Sequence, residues 1–174
     1  MREITSSELT LILGGARSGK SRFAEDFVIQ SALPRIYLAT AQAYDEEMAS
    51  RISYHRSERG ENWVTVEEPL NLLQALQEYS SVTNIVLIDC LTLWVSNLMG
   101  EEHSVEKAID QLIDGLHDLR GSIVFVSNEV GQGIVPENAM AREFRDHAGR
   151  LHQRLAEKAN SVYFVTAGLA QKLK

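Results

Sequence analysis

Short runs of apolar residues recur along the chain, and helix-forming or polar stretches separate them. The runs cover residues 9–13, 35–39, 63–66, 84–88, 122–126 and 162–165. Several of them are continuously apolar rather than alternating, which is typical of β-strands that are covered on both faces. The pattern therefore predicts six strands in a buried sheet.

Between the runs, apolar residues recur at intervals of three and four, which predicts amphipathic helices. One stripe consists of Val105, Ile109, Leu112, Leu116 and Leu119. Another, in a long helix that begins near Pro136, consists of Met140, Phe144, Ala148, Leu151 and Leu155. Alternating strands and helices predict an α/β fold with a doubly wound, mostly parallel sheet flanked by helices. Ligands of such folds bind beyond the C-terminal ends of the strands.

Composition and charge exclude only a few classes of protein. The length of 174 residues suits one domain, predicted over 9–174, with residues 1–8 as a flexible N-terminal extension. The net charge of −7, without a basic block, argues against nucleic acid as the main partner. No run is long enough for a membrane span, and a single cysteine, Cys90, suits a reduced cytoplasmic setting. Because Cys90 directly follows an apolar run, we expect a buried thiol rather than a nucleophile.

The first predicted strand is followed by a phosphate-binding loop. The tract reads Gly14, Gly15, Ala16, Arg17, Ser18, Gly19, Lys20 and Ser21, and a helix is predicted directly after it, over 22–30. A strand, this G-x-x-x-x-G-K-[ST] loop and a helix are the context in which backbone N–H groups and a helix N-terminus surround phosphate oxygens. Lys20 is predicted to reach the β- and γ-phosphates, and Ser21 to bind Mg²⁺. The fold is therefore predicted to be P-loop NTPase-like, with ATP or GTP as ligand.

Polar residues follow two later strands. Asp89 ends the run 85–88, and an acid at that position holds or orients Mg²⁺ beside a P-loop serine. Thr92 is predicted to cap the helix that follows. Asn128 and Glu129 follow the run 122–126, where they either contact substrate or a metal-bound water, or simply form a turn.

A predicted helix over 45–59 carries His55 among the arginines Arg51, Arg56 and Arg59. A histidine with arginine neighbours suits an anionic ligand, and a neutral imidazole is also a competent nucleophile toward phosphorus. The spacing alone favours a histidine packed on an amphipathic helix with solvated arginines. The remaining histidines show no shared spacing that would predict a structural zinc site.

Several tracts together resemble one known family. They are 14–22, 37–42, 45–48 with Arg51 and Ile52, His55-Arg56 with Arg59, 63–67, 89–92 with Asn97-Leu98, 127–131, 133–138, Arg142, 144–146 and 148–150, with Asn160 near the end. This set is similar to the bifunctional adenosylcobinamide kinase / adenosylcobinamide-phosphate guanylyltransferases of cobalamin biosynthesis, from Leu9 almost to the end of the chain. The P-loop is shared with many enzymes, whereas the tract 127–150 is far more specific to this family.

The resemblance implies two reactions: phosphorylation of adenosylcobinamide by ATP or GTP, and transfer of GMP from GTP to adenosylcobinamide phosphate through a guanylyl-histidine at His55. It implies Lys20 as the second catalytic residue and a homotrimer as the assembly. Besides the P-loop, it implies nucleotide contacts from Ala39, Thr40, Ala41, Arg56, Ser57, Glu58, Arg59, Glu67 and Asp89, with Mg²⁺ held by Ser21 and Asp89. A P-loop kinase without nucleotidyl transfer is the alternative, and a GTPase switch is disfavoured because Asn-Lys-x-Asp is absent.

Overall fold

The computed structural model describes residues 8–42, Glu46 and 60–174. The strands are β1 (Glu8–Gly14), β2 (Arg35–Ala39), β3 (Trp63–Glu67), β4 (Ile85–Asp89), β5 (Ser122–Asn128), β6 (Ser161–Thr166) and β7 (Leu169–Lys172). The described helices are α1 (Lys20–Gln30), α2 (Leu72–Tyr79), α3 (Leu91–Gly100), α4 (Val105–Gly115) and α5 (Ala139–Lys158). A short 3₁₀ turn, Leu116–Asp118, follows α4.

The strands form a single sheet in the order β3-β2-β4-β5-β1-β6-β7. All neighbouring pairs from β3 to β6 are parallel, and β7 pairs antiparallel with β6. The predicted α/β fold with a mostly parallel sheet is therefore confirmed. All six predicted strands are present, with ends that differ by at most two residues.

The strand that the sequence pattern missed is β7. All four of its residues are exposed, so no apolar periodicity marks it. A two-residue turn, Ala167-Gly168, joins it to β6, with φ of 52° and 77°. Positive φ at both central positions is the geometry of a tight hairpin turn, which Asn-Gly or Asp-Gly signals more clearly in a sequence.

Side chains from the two faces of the sheet form two apolar clusters. On one face, Ile12, Leu87 and Val124 pack with Ala24 and Val28 of α1. On the other face the larger cluster brings in α2, α3, α4 and α5. Both faces of the central strands are thus covered, which explains why their sequences read as continuous apolar runs.

Several helix boundaries differ from the prediction. The first helix begins two residues early, at Lys20. The long helix begins at Ala139 rather than near Pro136, because Asn138 caps it by accepting a hydrogen bond from the Ala141 backbone N–H (3.0 Å). The helix Val105–Gly115 ends before the last two members of its stripe, although Leu116 and Leu119 are both buried.

Two further expectations concern the first part of the chain. Glu8, predicted in the extension, is the first residue of β1, and its backbone N–H donates to the Gly121 carbonyl (2.9 Å). The predicted helix over 45–59 lies outside the described residues, apart from a helical Glu46.

Across the described ranges, no helix combines the length and apolarity that crossing a membrane requires.

Candidate active site

The parallel strands bring the predicted site residues to one edge of the sheet. Gly14 ends β1 and lies opposite Asn128 of β5, whereas Ala39 of β2 lies between Asp89 and Glu67 at the ends of β4 and β3. Because β5 separates β1 from β4, the strands that carry the P-loop and Asp89 are roughly 10 Å apart.

The P-loop adopts a conformation that requires its glycines. A Cβ on Gly14 would lie 2.5 Å from Ser18 Oγ and 2.7 Å from the Val165 carbonyl oxygen, so no larger residue fits. Arg17 and Gly19 have φ of 54° and 91°, and Gly19 is the residue before α1. Left-handed residues in such a loop turn successive N–H groups toward one side, which forms a concave site for an anion at the helix N-terminus.

The β6–β7 hairpin supports the P-loop from behind, a role that the sequence did not reveal. The Gly168 N–H donates to the Ser18 carbonyl (2.7 Å), and a Cβ on Gly19 would lie 3.1 Å from Gly168 Cα. The Ser18 side chain is buried, and its Oγ has no hydrogen-bond partner among the described residues. The loop that is predicted to bind phosphate thus rests on the C-terminal hairpin, and a lone glycine was the only sequence signal for this contact.

Lys20 and Ser21 open α1, on the same face of the sheet as Asp89. Ile85 and Leu87 pack in the α1 cluster, so the two-residue period of β4 places Asp89 on that face as well. Lys20 Nζ donates to the Gly15 carbonyl (3.3 Å), which holds it over the loop. The lysine predicted to be catalytic and both predicted metal ligands therefore belong to one side of the sheet edge.

The donors present suit Mg²⁺. A serine hydroxyl and a carboxylate are hard oxygen ligands, and Asp89 Oδ2 accepts a hydrogen bond only from a neutral group, the Tyr37 hydroxyl (3.1 Å), within the described ranges. In the described part of the chain, no set of three or more His, Cys, Asp or Glu residues could hold a metal ion.

A hydrogen-bonded network fixes the ends of β2, β4 and β5 around Asp89. The Thr40 hydroxyl donates to the Cys90 carbonyl (2.7 Å) and accepts from the Cys90 N–H (3.0 Å). Asn128 Nδ2 donates to Thr92 Oγ1 (2.9 Å), which also contacts Cys90 Sγ (3.1 Å). Since Thr40 is fully buried, its side chain ties β2 to β4, and its contact with nucleotide stays a prediction.

The prediction that Thr92 caps the following helix is wrong. Cys90 is the residue before α3, no side chain caps it, and Thr92 lies inside the helix. The expectation of a buried Cys90 is confirmed, because only 4% of the residue is exposed. Burial, assisted by the nearby charge of Asp89, raises the pKa of the Cys90 thiol to about 11. The thiol is therefore neutral and structural, which agrees with its place in this network.

A second buried contact holds β5 from the opposite face. His152, near the middle of α5, forms a 2.7 Å hydrogen bond between its Nε2 and Ser127 Oγ, and Ser127 is fully buried. Burial lowers the pKa of His152 to about 4, although the charge of Glu129 acts in the opposite direction. A neutral imidazole thus anchors the residue before Asn128, and the Glu129 N–H in turn donates to the Gly14 carbonyl (3.0 Å). Sequence reasoning missed His152, since a histidine inside an apolar stripe carries no signal for its partner.

For the other predicted site residues, the structure gives either their exposure or no description. Ala39 and Ala41 are partly exposed at the end of β2, and Glu67 is exposed at the end of β3. His55, Arg56, Ser57, Glu58 and Arg59 lie outside the described residues, so their roles stay predictions.

Comparison with known proteins adds the chemistry to this geometry. Residues 10–173 match the model of the family described as cobinamide kinase / cobinamide phosphate guanyltransferase. The chain belongs to this family. It is therefore an enzyme of the cobinamide kinase and guanyltransferase class, as the sequence motifs predicted.

Named relatives agree with the family match. The bifunctional adenosylcobalamin biosynthesis protein CobP of Pseudomonas aeruginosa is 46% identical over 166 residues, which cover 94% of this chain and 96% of that protein. The corresponding CobU proteins of Escherichia coli K12 and Salmonella typhimurium are 40% and 41% identical over 181 residues, covering 95% of this chain and 99% of each. Among solved structures, the RadB recombinase is 13% identical with a TM-score of 0.47, over 90% of this chain and 73% of that one.

Proposed function

We propose that this cobinamide kinase and guanyltransferase carries out both of its reactions from the nucleotide site at the carboxyl edge of the sheet. The observation that carries the proposal is the arrangement of the P-loop and Lys20 with Asp89 on one face of that edge. In the first reaction, the hydroxyl of adenosylcobinamide attacks the γ-phosphorus of ATP or GTP. An O–P bond forms, the bond to the β-phosphate oxygen breaks, and the hydroxyl proton is released.

The P-loop supplies the electrostatic part of this step. Its N–H groups, the α1 N-terminus and Lys20 stabilise the negative charge that builds up on the leaving diphosphate. Ser21 and Asp89 would hold Mg²⁺, which when bound would supply positive charge that neutralises the phosphates. Asn128, fixed by Thr92 and lying opposite Gly14, is held within the same edge.

In the second reaction, His55 is the nucleophile. Its imidazole attacks the α-phosphorus of GTP, a P–N bond forms, and pyrophosphate leaves. The phosphate of adenosylcobinamide phosphate then attacks the same phosphorus and displaces the histidine, which gives adenosylcobinamide-GDP. Arg56 and Arg59 are proposed to stabilise the phosphate charge, with Ser57, Glu58, Glu67 and the segment 39–41 as further nucleotide contacts. The support for these roles is the match of the sequence tracts to the family.

The experiment that tests the proposal is intact mass spectrometry after incubation with Mg²⁺ and GTP. We expect the wild type to gain the mass of one GMP, as an acid-labile adduct that adenosylcobinamide phosphate removes. His55→Ala should gain nothing yet still phosphorylate adenosylcobinamide. His117→Ala, at an exposed position beyond α4, is the matched control and should behave as the wild type.

An unmodified wild type that still phosphorylates adenosylcobinamide would leave the alternative, a P-loop kinase without nucleotidyl transfer. An adduct on His55→Ala would show that another residue is the nucleophile. Removal of Mg²⁺ with a chelator should abolish both reactions, because the triphosphate then lacks its counter-charge. The homotrimer is a further prediction, which light scattering of the purified protein tests directly.

A further inference from the structure

A large groove among the described residues lies between α3 and α5. It has a volume of about 1070 Å³ and we call it the α3–α5 groove. Its walls include Met99, Glu102, Glu106, Met140, Glu143 and Phe144. Small-molecule sites usually measure roughly 300–1,000 Å³, so this groove is large enough for a bulky ligand.

The α3–α5 groove borders the sheet edge that carries the P-loop. Asn97 Nδ2 donates to the carbonyl of Thr40 (2.7 Å), the residue after β2, so the second half of α3 lies at that edge. The other wall is the first half of α5, which follows β5 and the loop 129–138. That loop begins beside Gly14, because the Glu129 N–H donates to the Gly14 carbonyl.

The surface of the groove is apolar and acidic at once. Met99 and Phe144 are partly buried against the main cluster, whereas 68% of Met140 is exposed. In the loop that precedes α5, Ile134 and Val135 are also exposed, by 96% and 60%. Three glutamates line the groove, Glu102, Glu106 and Glu143, and no lysine or arginine of the described chain is among its lining residues. Glu106 forms an ion pair with Arg150 (3.1 Å), so Glu102 and Glu143 supply most of the uncompensated negative charge.

One polar atom in the wall has no partner among the described residues. His147 of α5 is only 8% exposed, and its Nδ1 makes no hydrogen bond within that part of the chain. Its other nitrogen, Nε2, lies 3.6 Å from Glu143 Oε1. Buried polar atoms are normally paired, so an unpaired imidazole nitrogen in a groove wall is suited to a ligand that brings its own hydrogen-bonding groups.

We propose that the α3–α5 groove binds the corrin ring of the cobinamide substrate, with the hydroxyl-bearing arm directed to the P-loop edge. This inference rests on the proposed function. A cobalt(III) corrin with an adenosyl ligand is a large cation with methyl groups and amide side chains around its rim. The volume, the methionine and phenylalanine surface, the three carboxylates and the unpaired imidazole each match one of those properties.

The test is direct binding of adenosylcobinamide, followed by its absorbance in equilibrium dialysis, without nucleotide. Glu143→Lys is the probe and Glu157→Lys is the matched control, since both are exposed positions on α5 and only the first lines the groove. Met140→Lys is a second probe at an exposed position that should not disturb folding. We expect both probes to weaken corrinoid binding about tenfold or more and to leave the Kd for GTP unchanged. The control should bind both ligands as the wild type does.

Equal corrinoid affinity in Glu143→Lys, Met140→Lys and Glu157→Lys would overturn the groove assignment while the proposed function stands. Loss of corrinoid binding together with a change in the oligomer, seen by light scattering, would instead identify the groove as an interface between copies and also overturn the proposal. A wild type that binds GTP but no adenosylcobinamide would contradict the proposed function itself. The GMP adduct on His55 is measured without corrinoid, so the two failures are separable.

Discussion

Mild acid should destabilise this protein through one buried histidine, His152. Burial lowers its pKa from 6.5 to about 4, and the charge of Glu129 opposes this only in part. In the unfolded chain the imidazole regains a pKa near 6.5, so at intermediate pH the unfolded state binds more protons than the folded state. The stability that depends on neutral His152 is therefore complete above about pH 6.5 and is lost as the pH falls toward 4. Linkage gives a loss of about 2 kcal/mol between about pH 8 and pH 5.

Urea unfolding across this pH range, followed by tryptophan fluorescence, measures the effect. His152→Gln removes the titrating group, so its stability should depend less steeply on pH than that of the wild type. His117→Gln removes an exposed histidine and should keep the wild-type dependence. Ring-proton NMR of the wild type provides a check that needs no variant, with one histidine titrating near pH 4. An unchanged pH dependence in His152→Gln, or five histidines that all titrate above about pH 6, would refute the reasoning.

Three further predictions follow from contacts in and around the site. Gly14→Ala places a Cβ 2.5 Å from Ser18 Oγ and should lower the free energy of unfolding by about 1–3 kcal/mol. Gly149→Ala, within α5 with open space around it, should raise the free energy of unfolding by about 0.5–1 kcal/mol. Equal shifts of the two variants in calorimetry would contradict this. Cys90 should resist a thiol reagent at about pH 8 until urea unfolds the protein, because the thiol is buried and its pKa is about 11. Rapid modification of Cys90 in the folded protein would argue against the hydrogen-bonded network around it. Gly168→Ala adds strain at φ 77°, where the backbone N–H supports Ser18, and should weaken binding of a non-hydrolysable triphosphate. Ala167→Gly relieves strain in the same turn and should leave that binding unchanged. Equal affinities of the two variants would show that the hairpin does not position the loop.

Local patterns were sufficient for most of the scaffold. The continuous apolar runs predicted every strand from β1 to β6, because a strand covered on both faces must be apolar at successive positions. The stripe in α4 identified a buried face even where the helix ended early, since Leu116 and Leu119 remain buried outside it. The same rule failed at β7, whose exposed residues have no apolar face to reveal them.

Capping and start positions were less predictable than the elements themselves. Threonine is a common helix-capping residue, yet the Thr92 hydroxyl accepts a hydrogen bond from Asn128, which lies 36 residues away in the chain. Asn138, rather than the region of Pro136, sets the start of α5. The deciding interaction is a contact between residues distant in sequence for Thr92, and a single side-chain hydrogen bond for Asn138. Hydrophobic periodicity records neither of these interactions.

The sequence by itself determined the chemistry that this protein carries. The tract 14–21 and Asp89 predict a triphosphate and its metal, because their side chains and glycines act through local geometry. Only the tertiary structure decided how those residues are held: the hairpin beneath Ser18, the Thr40–Cys90 link, the His152–Ser127 contact and the α3–α5 groove. These features join residues that are 25 to 150 positions apart in the chain. They depend on strand order and register, which arise from packing of the whole chain rather than from any local pattern.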